Sequence, residues 1–156
     1  MNQGVNYKQT LRAIGQALEA QRPIAFNIKS NGENYLVRGV PEKLNPLKAL
    51  FRRNHGIGQA SYTPQDIDRL ERQGRAKRNA PRGMPDFHSL SNILRTLGAY
   101  LDRKDARLLE VYKRGRSMMI LYQNSEGHPE IEERTISSIH YLSMQMFQSR
   151  EKGKPA

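Results

Sequence analysis

The sequence predicts a single α+β domain in which two copies of a helix–β-hairpin unit form an antiparallel sheet of about four strands, with helices mainly on one face. Three observations predict it: a gapless repeat, a helical apolar period in each copy, and alternating apolar residues around a glycine turn. The expected domain covers residues 1–150, with repeats at about 5–40 and 88–123, a basic insertion at 43–86, a C-terminal helix at 135–150 and a flexible tail at 151–156.

The repeat has an offset of 83 residues, which places Leu11–Glu19 on Leu94–Asp102. Between Leu11 and Gly32, five of 22 positions are identical, and both copies have the pattern of a helix followed by a hairpin. Gly15 and Gly98 occupy matching positions inside the two helices, where glycine costs about 1 kcal/mol relative to alanine. Such a cost at both positions predicts that each helix packs closely there, and we expect its own hairpin to be the neighbour.

The two helices have the same spacing of apolar residues, which defines one face of a helix. The first carries Tyr7, Leu11, Ile14 and Leu18, and the second carries Leu90, Leu94, Leu97 and Leu101. Pro23 prevents the first helix from continuing. Asp86 and Ser89 are the candidate N-caps of the second.

Each helix is followed by a predicted hairpin, with turns at Asn31-Gly32 and Arg114-Gly115. The first turn would pair Ile28 with Tyr35 and Phe26 with Val37, and would leave Asn27, Lys29, Arg38 and Leu36 on the opposite face. The predicted core face of the second hairpin is Leu109, Val111, Met118 and Ile120. Its other face, Leu108, Tyr112, Met119 and Leu121, is also largely apolar, so that it must be covered within the sheet or by another subunit.

The insertion contains a predicted helix that starts at Thr63-Pro64-Gln65-Asp66, with threonine as N-cap and proline at the first helical position. This helix runs to about Lys77 with only Ile67 and Leu70 as apolar anchors, which is typical of a surface helix. The segment Asn79–Pro85 is rich in proline and glycine and is expected to be a mobile loop. Thr135–Arg150 is apolar all round and is expected to pack on the sheet.

The formal net charge is +11 and the pI is near 10.2. Residues 1–82 hold 15 basic and 6 acidic side chains, whereas residues 83–156 hold 11 and 9. The densest stretch, Lys43–Arg82, has ten basic residues, of which seven are arginine. Arginine grips phosphate oxygens with a planar fork, so this pattern is the electrostatic footprint of a nucleic-acid binder.

The leading prediction is therefore a non-catalytic nucleic-acid-binding protein that contacts mainly the phosphate backbone, with little sequence specificity. DNA and RNA, single and double strands, all stay open. The predicted contacts are Arg52, Arg53, Arg69, Arg72, Arg75, Lys77, Arg78 and Arg82.

The alternative from another class is a dimeric protein-interaction or assembly module. It is based on the apolar second face of the second hairpin, where Leu108, Tyr112, Met119 and Leu121 would form a dimer or partner interface. A homodimer is expected in either case, because the second face of the second hairpin and the C-terminal helix are both apolar. A twofold dimer would also present two basic segments to one polyanion.

Enzymatic chemistry has little support in the sequence, and no cofactor is expected. The chain has no cysteine, and its four histidines lack metal-ligand spacing, so no metal site is predicted. A nuclease-like enzyme is the remote alternative, because Pro85-Asp86 is followed by Glu110 and Lys113. The spacing of the last two places them on opposite faces of a strand, which is wrong for a shared metal site. No apolar run is long enough for a membrane span and no secretory signal is visible, so a cytoplasmic protein is expected.

Overall fold

The computed structural model describes residues 6–19, 23–41, 58–78 and 89–152, which form an α+β fold as predicted. Within these ranges there are four helices and a six-stranded sheet. The first half contains α1 (Tyr7–Glu19), β1 (Pro23–Asn31), β2 (Asn34–Pro41), β3 (Gly58–Tyr62) and α2 (Pro64–Arg78). The second half contains α3 (Leu90–Arg103), β4 (Arg107–Arg114), β5 (Ser117–Gln123), β6 (Pro129–Thr135) and α4 (Ile136–Lys152).

The sheet is antiparallel throughout, in the order β3-β2-β1-β4-β5-β6. The expected count of about four strands was wrong, because the sequence analysis missed β3 and β6. Both are edge strands, and each of them pairs with the outer strand of a predicted hairpin. At the centre, β1 pairs with β4 so that Ile28 lies opposite Val111.

Both hairpins form where they were predicted, but each turn lies one residue later. The turns are Gly32-Glu33 and Gly115-Arg116, so Ile28 pairs with Val37 and the predicted Ile28–Tyr35 pairing was wrong. Gly32 and Gly115 have φ of +63° and +62°. A type II′ turn requires such a φ at its first central residue, and glycine adopts it without steric cost. Because the register changed by two residues, the side chains of the first hairpin stay on their predicted faces.

The core lies between the helices and one face of the sheet. Alternate strand residues, including Ile28, Val37, Val111, Met118 and Ile120, are buried with the apolar faces of α1 and α3. In β4 the predicted core residue Leu109 is only partly buried, whereas Leu108 is fully buried. The reason is a break in register between Leu108 and Glu110, where Leu109 bulges from the ladder and the side-chain alternation changes.

Helices α1 and α3 cross at their glycines. A Cβ on Gly15 would lie 2.7 Å from the Cα of Ser91 in α3, and a Cβ on Gly98 would lie 2.7 Å from the backbone nitrogen of Lys8 in α1. The close packing was therefore predicted correctly but its partner was not. Each glycine packs against the first turn of the other helix, because the missing side chains let the two backbones touch.

A carboxylate caps the first turn of each of these helices from the opposite helix. Glu19 Oε1 accepts a 2.7 Å hydrogen bond from the Ser91 backbone N–H, and Asp102 accepts from the Tyr7 and Lys8 N–H groups at 3.0 and 3.1 Å. Ser89 is the N-cap of α3, and its side chain accepts from the Asn92 N–H at 3.2 Å. These acceptors satisfy N–H groups that have no partner inside the helix.

The C-terminal helix begins at Ile136, directly after β6. It buries Ile139 against the core, but it leaves Tyr141 64% and Met144 43% exposed. Three predicted segments lie outside the described ranges. They are the parts of the insertion at 43–57 and 79–86, the latter with the predicted loop at Asn79–Pro85, and the end of the tail at 153–156.

Candidate nucleic-acid interface

The start of the basic helix α2 is fixed by a reciprocal cap. Asp66 Oδ2 accepts from the Thr63 backbone N–H and hydroxyl, both at 2.9 Å, while Thr63 Oγ1 accepts from the Asp66 N–H at 3.2 Å. The hydrogen bonds that Thr63 donates lower the pKa of Asp66. The bond from its backbone N–H has the largest effect, and the bond from its hydroxyl follows. The predicted helix start is confirmed, with aspartate in the place that glutamate takes in the usual capping box.

The inner side of α2 is held against α1. Ile67 is 9% exposed and Glu71 is 6% exposed. Arg12 Nη2 of α1 lies 2.5 Å from Glu71 Oε1. This buried pair fixes the rotation of α2 about its axis and leaves Arg69 and Arg72 on the outer side.

Two of the predicted contact residues have described side chains, and both lie on this outer side. Arg69 and Arg72 are 68% and 78% exposed, and they form ion pairs of 2.9 and 3.0 Å with Asp66 and Asp68. Exposed pairs of this kind contribute about 0–1 kcal/mol, so they can yield to a phosphate. Arg75, Lys77 and Arg78 belong to the same helix, though their side chains lie outside the described residues, as do Arg52, Arg53 and Arg82 entirely.

The face of the sheet opposite the helices carries a second group of polar side chains. The registers align Gln59, Arg38, Asn27 and Tyr112 in one row across β3, β2, β1 and β4. Lys29 lies two residues along β1 from Asn27. Within the described elements no helix covers this face, and Lys29 and Arg38 are exposed.

Lys29 and Arg38, the two cations on this face, differ from those on α2. Within the described ranges neither Lys29 nor Arg38 forms an ion pair. A carboxylate on the same face, that of Glu110, lies opposite Lys29 and accepts a hydrogen bond from the Asn27 amide. The sequence analysis placed Asn27, Lys29 and Arg38 on this face but did not count them as contacts, because the signal was density of charge along the chain and these residues are spread over two strands.

The other half of the same face carries three apolar residues, with Glu133 opposite Met119 at its edge. Met119 and Leu121 of β5 are half-buried there, and Ile131 of β6 is 67% exposed beside Leu121. Three of the four predicted interface residues, Tyr112, Met119 and Leu121, share this face. Leu108 does not, because the bulge in β4 turns it into the core, so its assignment to the interface was wrong.

Two further cations, Lys104 and Arg134, are engaged in contacts with neighbouring aromatic and acidic side chains. Lys104 Nζ lies 4.7 Å from the centre of the Tyr100 ring and 3.3 Å from the Tyr122 hydroxyl, and the Arg134 guanidinium lies 4.6 Å from the Tyr100 ring. The Tyr100 hydroxyl donates to Glu132 at 2.8 Å. Hydrogen bonding to Tyr100 and Tyr122, with Glu132 nearby, raises the pKa of Lys104. This cluster joins α3 to β5 and β6 rather than offering cations to a ligand.

The described residues hold no group of three or more side chains that could bind a metal ion. Glu110 lies on the face of the sheet that is not covered by helices, which we call the open face. Lys113 lies on the helix-covered face, where it pairs with Phe26 of β1 and Met118 of β5. The third residue of the nuclease-like pattern, Asp86, is outside the described ranges, as are His55 and His88. His128 is exposed and lies 3.7 Å from Glu126.

Comparisons with models of protein families, with curated proteins and with solved structures found no match for this chain. Among the described helices, none has the length and apolar character needed to cross a bilayer.

Proposed function

We propose that this protein is a non-catalytic nucleic-acid-binding protein whose arginines on α2 contact the phosphate backbone with little sequence specificity. The observation that carries the proposal is the outward placement of Arg69 and Arg72 on a helix whose inner side is fixed by Ile67 and Glu71. Because that helix cannot turn its basic side inward, its charge is presented to solvent. A net charge of +11 supplies the long-range attraction for a polyanion.

A salt series tests this function. We expect the protein to bind labelled DNA or RNA in fluorescence anisotropy, with a log–log slope of several units against salt concentration. The triple variant Arg72→Gln, Arg75→Gln and Arg78→Gln should reduce that slope on duplex DNA by about three units, since each phosphate contact adds about 0.9. The matched control removes the same charge at exposed positions elsewhere, with Arg103→Gln, Arg107→Gln and Arg116→Gln. Equal slopes for the two triple variants would contradict a specific role of α2.

A second candidate function, a dimeric assembly module, is favoured by the exposure of Ile131 next to Leu121. Exposed apolar residues that adjoin one another mark association surfaces. We expect the protein to be a homodimer in multi-angle light scattering and Ile131→Lys to yield monomers. Tyr141→Lys, which changes an equally exposed residue on α4, should leave the dimer intact. A wild-type monomer, or a dimer unaffected by Ile131→Lys, would contradict this interface.

We also infer that the chain is an internal duplication, as the repeat predicts. The contacts that support this come in pairs related by the same offset of 83 residues. Gly15 packs on Ser91 as Gly98 packs on Lys8, and Glu19 caps α3 as Asp102 caps α1. Ile28 and Val111, which are also 83 residues apart, are directly paired. A twofold axis between these two residues would relate the halves.

A further inference from the structure

The open face of the sheet has a polar half that differs in chemistry from the basic helix. We call the residues Asn27, Lys29, Arg38, Gln59 and Tyr112 the cationic half-face. It combines two exposed cations, two amides and one aromatic ring on four adjacent strands. The four residues of its row span about 14 Å, since neighbouring strands are about 4.8 Å apart.

Each member of the cationic half-face suits one part of a nucleotide. Lys29 and Arg38 have no ion pair within the described ranges, so a phosphate need not displace a carboxylate from them. Tyr112 is half-buried on the surface of the sheet rather than in the core, which leaves its ring as a platform for a base. The amide of Gln59 can donate to and accept from base edges. Asn27 keeps its carbonyl oxygen and one N–H for a base, since its other N–H donates to Glu110.

The aromatic ring selects the kind of nucleic acid. A base can stack on Tyr112 only if its flat surface is free, and in a duplex those surfaces are covered by neighbouring base pairs except at the ends. Acidic side chains limit the site beyond the ring, because Glu110 lies beside Lys29 and Glu133 lies beyond Met119 in the same row. Glu133 repels a phosphate beyond Met119, so the bound segment is short. Glu110 weakens the attraction of Lys29 for a phosphate, whereas Arg38 has only Asn27 and Gln59 opposite it and is the stronger phosphate contact.

We propose that the cationic half-face binds a short single-stranded segment of DNA or RNA, with a base stacked on Tyr112 and phosphates on Lys29 and Arg38. This inference rests on the proposed nucleic-acid-binding function, but it uses a different surface from α2. It assigns strand preference to the sheet and non-selective backbone contact to the helix.

The test compares Tyr112→Leu with Tyr141→Leu in anisotropy titrations against a 12-nucleotide dT strand, a 12-nucleotide rU strand and a 12-base-pair duplex. We expect Tyr112→Leu to weaken binding of the single strands by about tenfold or more and to leave duplex binding and the salt slopes unchanged. Tyr141→Leu should change none of them. The double variant Lys29→Gln and Arg38→Gln should reduce the single-strand salt slope by about 1.4 units. The relative effects on dT and rU decide which polynucleotide the site prefers.

A second measurement does not depend on the stability of a variant. Irradiation of the wild-type complex with a 5-iodouracil-substituted strand, followed by mass spectrometry, should place the crosslink at Tyr112. Unchanged single-strand binding by Tyr112→Leu, or crosslinks confined to other peptides, would overturn the sheet-face site. If the α2 triple variant still weakens binding in that case, the proposed function stands without this inference. If the wild-type protein binds no nucleic acid at about 50 mM salt, both are wrong.

Discussion

Replacement of Gly98 by alanine is expected to lower the thermal unfolding midpoint by about 6–12 °C. The new Cβ would lie 2.7 Å from the Lys8 nitrogen and within contact distance of the Tyr7 carbonyl, and backbone cannot swing aside as a side chain can. The helices must therefore separate, which costs about 3 kcal/mol or more after the gain in helix propensity. For a chain of 156 residues, each kcal/mol corresponds to about 2–4 °C.

Gly74→Ala is the matched control for this substitution. The three atoms nearest to a Cβ on Gly74 all belong to the side chain of Gln16, with Nε2 at 2.9 Å, and a flexible side chain can move aside. Its unfolding midpoint should stay within about 3 °C of wild type, since propensity and displacement oppose each other. Gly15→Ala should resemble Gly98→Ala, because its Cβ would meet the Ser91 backbone. A Gly98→Ala protein as stable as Gly74→Ala would contradict the observed helix crossing.

Replacement of Arg12 by methionine is expected to destabilise the fold by about 3 kcal/mol. The substitution keeps most of the apolar bulk but removes the guanidinium that lies 2.5 Å from the carboxylate of Glu71, whose side chain is 7% exposed. Removing one member of a buried ion pair costs about 3–5 kcal/mol, and Arg12 itself is 17% exposed, which favours the lower end. Urea unfolding followed by circular dichroism measures the change.

A double-mutant cycle separates the interaction energy between Arg12 and Glu71 from the contribution that each side chain makes to stability by itself. Arg12→Met with Glu71→Leu should recover most of the lost stability, because the second substitution removes the buried charge. Arg72→Met removes an exposed partner of Asp68 and should cost less than about 1 kcal/mol. Additive effects at Arg12 and Glu71 would show that the two side chains do not stabilise each other.

The helices and hairpins could be predicted from the sequence because their signals are local. Leu11, Ile14 and Leu18 recur with the helical period, and Gly32 marks the turn between two alternating segments. The register of the hairpin was less certain, since a shift of two residues keeps Ile28 and Tyr35 on the core face and does not change the pattern. The register of the completed ladder, with Asn31 opposite Asn34, identifies the observed turn as Gly32-Glu33.

The edge strands and the bulge could not be predicted in the same way. β6 has one large aliphatic residue, Ile131, among charged neighbours, which is common in edge strands and weak as a strand signal. β3, Gly58–Tyr62, is short and polar and depends on β2 for its hydrogen bonds. The bulge at Leu109 depends on how β4 meets β5, so no pattern within β4 indicates that Leu108 is the buried residue.

The candidate site also has one part that could be predicted from the sequence and one part that could not. The basic stretch was visible as charge density, and Arg69 and Arg72 indeed lie together on one exposed helix side. The row from Gln59 to Tyr112 was not visible, because its members come from four strands that only the completed sheet brings together.

The central pairing of β1 with β4 also affects how the chain can fold while it is being synthesised. Ile28 lies opposite Val111, so the first half of the chain emerges from the ribosome well before the strand that completes its sheet. At about 5–20 residues per second, the 83 intervening residues take roughly 4–17 s to make. During that time β1 is an unpaired edge with apolar side chains, open to the same strand of a neighbouring nascent chain. We therefore expect rapid translation of the second half to reduce misassembly, and slow codons between the halves to favour aggregation.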